Sequence, residues 1–381
     1  MKRFPLTTIS VVFIAFLTLP TLAAPLYTIT NLGQNVFPNS INNAGQWTGS
    51  KDGLAVYYNG SQLIYINRPG ELGSPGAGAA INNKGQVAGY FGLENGPASA
   101  FRATNGQGDQ IINVKGMDFT RATAINDRGD LVGVAGSQAL GSPPVAFFDD
   151  SDTTTILPNP PNGMWANAVN SKRQIVGGSF SSQGYYVYPF LYDNGSSSRL
   201  GPLGGRIAEP FDINDNGRIV GHIIADHNYQ EAFLYDYNGG GFVVILPKTS
   251  SFSVSKALAV NQLGQIVGRG TPGIPAGPDN LLSGTAFLYS NGQTYDLAAL
   301  LSPDSNITLT AAFDINDSGQ IVAVGHSNDL PITLHGYLLT PIPEPSTLLL
   351  NLLPTFFLLR PRRRRTPAEK RKGVEKKRGR E

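Results

Sequence analysis

The sequence predicts an all-β fold: a seven-bladed β-propeller of four-stranded blades, each about 44 residues long, with an N-terminal strand at residues 26–32 completing the last blade. Three observations predict it. An Ile/Val-Asn pair, in most copies with a glycine three residues on, recurs seven times. An aromatic motif follows each copy. The last copy lacks a closing strand, and the N-terminal side has one to spare.

The pairs begin at residues 41, 81, 125, 169, 213, 260 and 315, with spacings of 40, 44, 44, 44, 47 and 55. The clearest copy is Ile213-Asn214-x-x-Gly217-x-Ile219-Val220-Gly221. The fourth copy has Arg173 in place of the first glycine, and the last has Ala323 in place of the second. The aromatic motif appears as Val56-Tyr57-Tyr58, Ala100-Phe101, Ala146-Phe147, Pro189-Phe190, Ala232-Phe233, Ala286-Phe287 and Gly336-Tyr337. Turns such as Asn59-Gly60, Asn194-Gly195 and Asn291-Gly292 come next, then a short strand. Each unit therefore holds four strands: A ends at the Ile-Asn, B carries Gly-x-Ile-Val-Gly, C carries Ala-Phe, and D follows.

Asn-x-x-Gly between strands reads as a tight hairpin. The Asn side chain bonds amides of its own turn, and the Gly takes the left-handed conformation that closes it. A calcium loop is the alternative at Asp212, Asn214 and Asn216, whose spacing matches the first half of such a loop. The twelfth position there is Ile223 rather than Glu, so the hairpin reading is preferred and no metal is expected. The final unit has strands A to C only. If residues 26–32 supply its D strand, no unpaired edge remains at the seam. An open β-solenoid would leave that strand unexplained.

The chain ends address delivery. Lys2 and Arg3, a short apolar run and Thr21-Leu22-Ala23 predict a signal peptide over residues 1–23. Residues 24–340 are the propeller. At the other end Pro343-Glu344-Pro345-Ser346, an apolar run to Leu359 and an arginine cluster at residues 360–365 form an apolar-then-cationic segment, too short to span a bilayer as a straight helix. It is expected to contact the membrane transiently through residues 346–365.

That segment, residues 341–365, resembles the PEP-CTERM sorting signal of Gram-negative bacteria. The resemblance implies export to the cell envelope, recognition by an exosortase-like sorting enzyme at Pro343, Glu344 and Pro345, and an association with exopolysaccharide and biofilm. Residues 366–381 are expected to be a disordered basic tail. The repeat itself resembles the HAF repeat of secreted bacterial proteins: Ala100-Phe101, Ala146-Phe147, Ala232-Phe233 and Ala286-Phe287 match its last two positions.

Charge is partitioned. Residues 360–381 hold 12 Lys/Arg and 3 Glu, a net of +9; residues 24–359 hold 15 Lys/Arg and 24 Asp/Glu, a net of −9. An acidic body argues against nucleic acid as a partner. There is no cysteine, so stability rests on burial rather than disulfides.

The strand order puts A–B and C–D turns at one end and B–C and D–A loops at the other. The loops vary, at 91–97, 136–144, 179–188, 222–231 and 269–284, and variable loops on a rigid frame are where binding sits. Trp165, Tyr185, Tyr186, Tyr188 and Tyr229 fall on this side, beside His222, Asp226 and His227. Aromatic rings stack on sugar faces and Asp and His bind hydroxyls, so a glycan surface is expected, with ordinary loop packing as the bland alternative. Asp149, Asp150, Asp226 and Glu231 are catalytic candidates by type alone; no paired-histidine metal motif or nucleophile elbow is present. The expected function is non-enzymatic binding or a matrix role at the envelope, with no cofactor. A secreted polysaccharide-active hydrolase or lyase on the same scaffold is the rival.

Overall fold

The structure is a computed structural model. It describes residues 26–92, 97–137, 142–158, 162–180, 187–200, 207–224, 230–246, 254–271, 281–329 and 332–343. The chain divides into two compact units, Met1–Pro341 and Ile342–Glu381, and every described strand lies in the first. Glu344 and Pro345 lie outside the described residues, and Pro343 is the last described one.

The described residues are almost wholly β: 28 strands and two short 3-10 turns. They form five four-stranded antiparallel sheets and one eight-stranded sheet. The first sheet runs β2 (Val36–Ile41), β3 (Trp47–Lys51), β4 (Leu54–Tyr58) and β5 (Leu63–Tyr65) in chain order. The expected A-B-C-D order is thus a meander of hairpins. The eight-stranded sheet arises where β20 (Gln230–Asp236) meets β22 (Val254–Val260) through one parallel pair, Gln230 opposite Val254. The spare N-terminal strand is longer than expected, β1 (Tyr27–Gln34), and lies antiparallel to β28 (His335–Pro341), with Tyr27 opposite Pro341.

Local chemistry explains the recurring residues. The first glycine of each turn is left-handed: Gly45, Gly85, Gly129, Gly217, Gly264 and Gly319 have φ between 74° and 98°, and Arg173 holds φ 65° in its place. The second glycine answers a different demand. A Cβ on Gly177 would stand 2.0 Å from the Trp165 carbonyl oxygen and 2.8 Å from the Phe190 ring. Gly133 and Gly268 are crowded in the same way by Phe147 and Phe287. The glycine and the aromatic residue of the repeat are cross-strand partners, and the ring lies where a side chain would otherwise be. Where Ala323 replaces that glycine, strand A carries two register irregularities instead of one, and the close approach moves to Gly325.

The core lies between neighbouring sheets. Ala88, Ala100 and Ile112 of one sheet pack with Leu131, Ala135 and Phe147 of the next. Val36, Ile41, Trp47 and Val56 pack with Val322, so the first repeat meets the last. Phe101, Phe147 and Phe233 are completely buried, each worth about 1.5–3 kcal/mol of transfer free energy.

Candidate functional site

The strand ends carrying the Asn-x-x-Gly turns converge on one cavity of about 150 Å³, lined by Asn42, Asn82, Asn126, Asn170, Asn261 and Asn316 among others. Each of these asparagines is buried and does two jobs. Asn42 Oδ1 accepts the amides of Ala44 and Gln46 within its own turn, at 3.1 and 3.0 Å. Its Nδ2 donates to the Asn82 carbonyl, at 3.0 Å. The same donation then runs Asn82 to Asn126, Asn126 to Asn170, Asn170 to Asn214, Asn214 to Asn261 and Asn261 to Asn316, at 2.8–3.1 Å. Asn316 donates to the Asn42 carbonyl at 2.9 Å, so the relay returns to its start.

Of the three residues of the calcium alternative, Asp212 and Asn214 have their side-chain oxygens engaged by backbone amides, and Asn216 donates through Nδ2. Asp212 accepts the amides of Ile213 (2.8 Å) and Val260 (2.9 Å). Asn214 belongs to the relay, and Asn216 donates to the Gln262 carbonyl. Among the described residues, no three His, Asp or Glu side chains gather to hold a metal. Asp314 repeats the role of Asp212 at the seam, accepting Ile315 and Ile41 amides at 2.8 Å. Protein surrounds both carboxyls, although each residue keeps part of its surface accessible. Burial pushes Asp212 up to about 7, with the charge of Asp314 adding to it and the Val260 amide opposing. Burial likewise raises Asp314.

The opposite ends of the same strands are chemically varied. Five residues before the Asn stand Phe37, Ala77, Arg121, Trp165, Glu209 and Lys256 in the first six units. Several reach back to the preceding unit. The Arg121 guanidinium covers the Tyr90 ring at 4.7 Å, and Glu209 Oε1 accepts the Trp165 indole N–H at 3.1 Å and the Asn167 amide at 3.3 Å.

This corrects the placement of three expected loop residues. Trp165 lies inside β14 (Met164–Val169), Tyr188 inside β16 (Val187–Asp193) and His222 inside β19 (Arg218–Ile224). The strands run on past their motifs here, β15 (Ile175–Phe180) and β16 into the loop expected at 179–188, and β19 into that expected at 222–231. Trp165 and His222 nonetheless meet through Glu209, which is opposite His222 in register. His222 is 6% exposed and its ring lies 5.4 Å from that of Phe211. Tyr188 stands apart, opposite Ser179, under the Arg199 guanidinium at 3.9 Å. Tyr185, Tyr186, Asp226, His227 and Tyr229 lie outside the described residues. Glu209 escaped sequence reading because its neighbours belong to another unit; aligning the units on their asparagines would have exposed it.

A cavity of about 660 Å³ opens on this varied end, between the loop at residues 66–75 and the strand ends near Phe91 and Ala98. Arg68, Glu71, Ser74, Ser99 and Asp118 supply its polar groups, and Leu72, Pro75 and Pro97 its apolar walls. That volume lies within the ~300–1,000 Å³ of small-molecule clefts.

A family described as a protein of unknown function (DUF3466) matches residues 204–331. A comparison with curated proteins finds no match. Among solved structures, the chain is similar to Pyrococcus horikoshii acylaminoacyl peptidase at 11% identity and TM-score 0.52, covering 84% of this chain and 54% of the peptidase. It is also similar to YCF48 bound to D1 peptide, at 12% identity and TM-score 0.49, covering 86% and 98%. A third is the β-propeller domain of the Trilobed protease from Pyrococcus furiosus, at 12% identity and TM-score 0.44, covering 69% and 83%. The chain spans about half the length of the peptidase, and a likeness at that identity shows the fold alone. The fold is thus all-β, built of four-stranded antiparallel meanders, with a β-propeller domain among the structures it resembles.

Proposed function

We propose that this chain is an exported, non-enzymatic binding protein on a seven-bladed propeller, whose varied strand ends and loops take a glycan. The observation that carries the reading is the contrast between the two ends of the A strands. At the turn end the asparagine relay is uniform and its hydrogen bonds are directed inward, which suits a structural hub. At the other end the equivalent position changes from aromatic to cation to acid, and the 660 Å³ cleft opens beside it. Uniformity serves the fold; variety on a rigid frame serves recognition.

The seven-bladed reading rests on the repeat count, the relay that returns to Asn42 and the pairing of β1 with β28. The signal peptide and the PEP-CTERM-like tail at Pro343, Glu344 and Pro345 support export to a Gram-negative envelope and handling by an exosortase-like enzyme, with exopolysaccharide the ligand class of first choice.

A glycan array probed with the exported protein, alongside Trp165→Ala, Glu209→Gln and Leu72→Ala, tests the function. Retention of a glycan by the parent and its loss from at least one of these variants is the expected result. Release of reducing sugar above background overturns the non-enzymatic reading, and an array left bare overturns glycan binding. The intact mass of the exported chain reports both terminal cleavages.

A further inference from the structure

We propose that the crease between the third and fourth units, at the turn end of the sheets, is a binding subsite for a single sugar ring carrying a carboxylate. It lies at the opposite end of the sheets from the proposed glycan surface and stands independently of it.

The crease encloses about 230 Å³ and is lined by Phe148, Lys172, Arg173, Tyr192, Asn194 and Gly195. That volume falls below the ~300 Å³ of the smallest usual ligand clefts, so it suits one ring of an oligosaccharide, with the neighbouring rings left outside. Two aromatic side chains, two cations and one amide face the same space. Aromatic rings supply an apolar platform, and the cations supply charge-assisted donors for a carboxylate.

A departure from the repeat builds this crease. In the first three units the turn glycine rests against a glutamine of the preceding unit: Gly45 against Gln320, Gly85 against Gln46, Gly129 against Gln86. That glutamine also accepts its own asparagine's Nδ2, as Gln46 does from Asn42 at 2.8 Å. At the third-to-fourth seam both positions change together. Asp130 stands for the glutamine and Arg173 for the glycine. Arg173 Nε and Nη2 donate to Asp130 Oδ2 and Oδ1 at 3.0 and 2.9 Å, and its guanidinium lies 5.3 Å from the Phe148 ring centre. The arginine adopts φ 65°, a left-handed conformation that L-residues rarely take. The pairing with Asp130 occupies Nε and Nη2 and leaves Nη1 for a ligand.

The remaining charges set the ligand's sign. Lys172 is exposed on the rim. Arg128 also approaches Asp130, at 3.4 Å. Asp150 is a half-buried acid nearby, and it is tied to its own turn through the amides of Asp152 and Thr153. Asp193, between Tyr192 and Asn194, accepts from Gln174 Nε2 at 3.1 Å, and the charged residues that line the crease itself are the cations Lys172 and Arg173.

The same departure supplies the control. The double variant Asp130→Gln, Arg173→Gly restores what most of the other units carry, so it is expected to keep the fold while removing the floor of the crease. Titration of the full exported chain with tri-galacturonate, neutral galactotriose and benzoate is the experiment. Expected are binding of tri-galacturonate alone, at least a tenfold loss in the double variant at unchanged melting temperature, and a severalfold loss in Lys172→Met. No binding of tri-galacturonate to the parent overturns the proposal. So does undiminished binding by the double variant, or equal binding of galactotriose or benzoate. Should the double variant fail to fold, Lys172→Met decides, because it changes an exposed side chain only: unchanged affinity there is equally fatal.

Discussion

Asn316 donates its side-chain amide to the carbonyl of Asn42 at 2.9 Å although 274 positions separate them. Both residues are buried, and the Asn316 carbonyl accepts in turn from Asn261 at 3.0 Å. Substituting Asn316→Ala takes one of two donors from the Asn42 carbonyl, which keeps the Gly45 amide, and removes the acceptor for the Ser318 and Gln320 amides. A buried unsatisfied group costs about 1–3 kcal/mol. Urea denaturation should show a loss of that size, and no loss would refute a structural role for the relay.

Two glycines of the fourth unit should respond differently to alanine. Gly177 has the Trp165 carbonyl oxygen 2.0 Å from where a Cβ would sit. Overpacking of this kind costs about 1–3 kcal/mol or more. Gly195 has open space but φ 84°, so its cost is limited to the roughly 1–2 kcal/mol of a left-handed L-residue. Thermal melts of Gly177→Ala and Gly195→Ala should rank in that order.

The Asp212 carboxyl predicts a pH dependence of known sign. Burial raises its folded pKa to about 7, above the unfolded value, and the charge of Asp314, itself raised by burial, adds to the shift. A raised folded pKa means the folded state holds a proton that the unfolded state releases earlier. The stabilisation is therefore complete below about pH 4 and is lost as pH rises through about 7. In Asp212→Asn this slope should flatten, so parent and variant melting temperatures diverge from pH 4 to pH 8 in favour of the variant. Parallel curves would exclude the mechanism.

Deleting residues 27–34 should uncover the outer edge of β28 and remove buried Tyr27 from the last cluster. An unpaired edge is a template for association. Size-exclusion chromatography should show aggregation, and a synthetic peptide of residues 26–35 added during refolding should restore the elution of the parent. A monodisperse deletion variant would count against the strand's role.

Much of this architecture was legible in the sequence because it is written in short-range chemistry. The Asn-x-x-Gly hairpin, the left-handed glycines and the strand missing from the last unit each follow from a few neighbouring residues. The site was less legible. Trp165 and His222 read as loop residues because strand continuation depends on pairing partners, Gly178 and Glu209, that lie elsewhere in the chain. Arg173 read only as a replacement for the turn glycine because its partner Asp130 is 43 residues away. The parallel pair Gln230–Val254, which fuses two sheets, has no sequence signature.

The antiparallel pairing of β1 with β28 puts Tyr27 directly across from Pro341, so the chain enters and leaves the last sheet at one corner. Tension applied between those two points loads the ladder as a zipper, one rung at a time, and not as a clasp in shear. A molecule held by both ends should therefore release its first strand at low force, before any other sheet yields. Optical-trap extension would register that as a short initial step, about eight residues long.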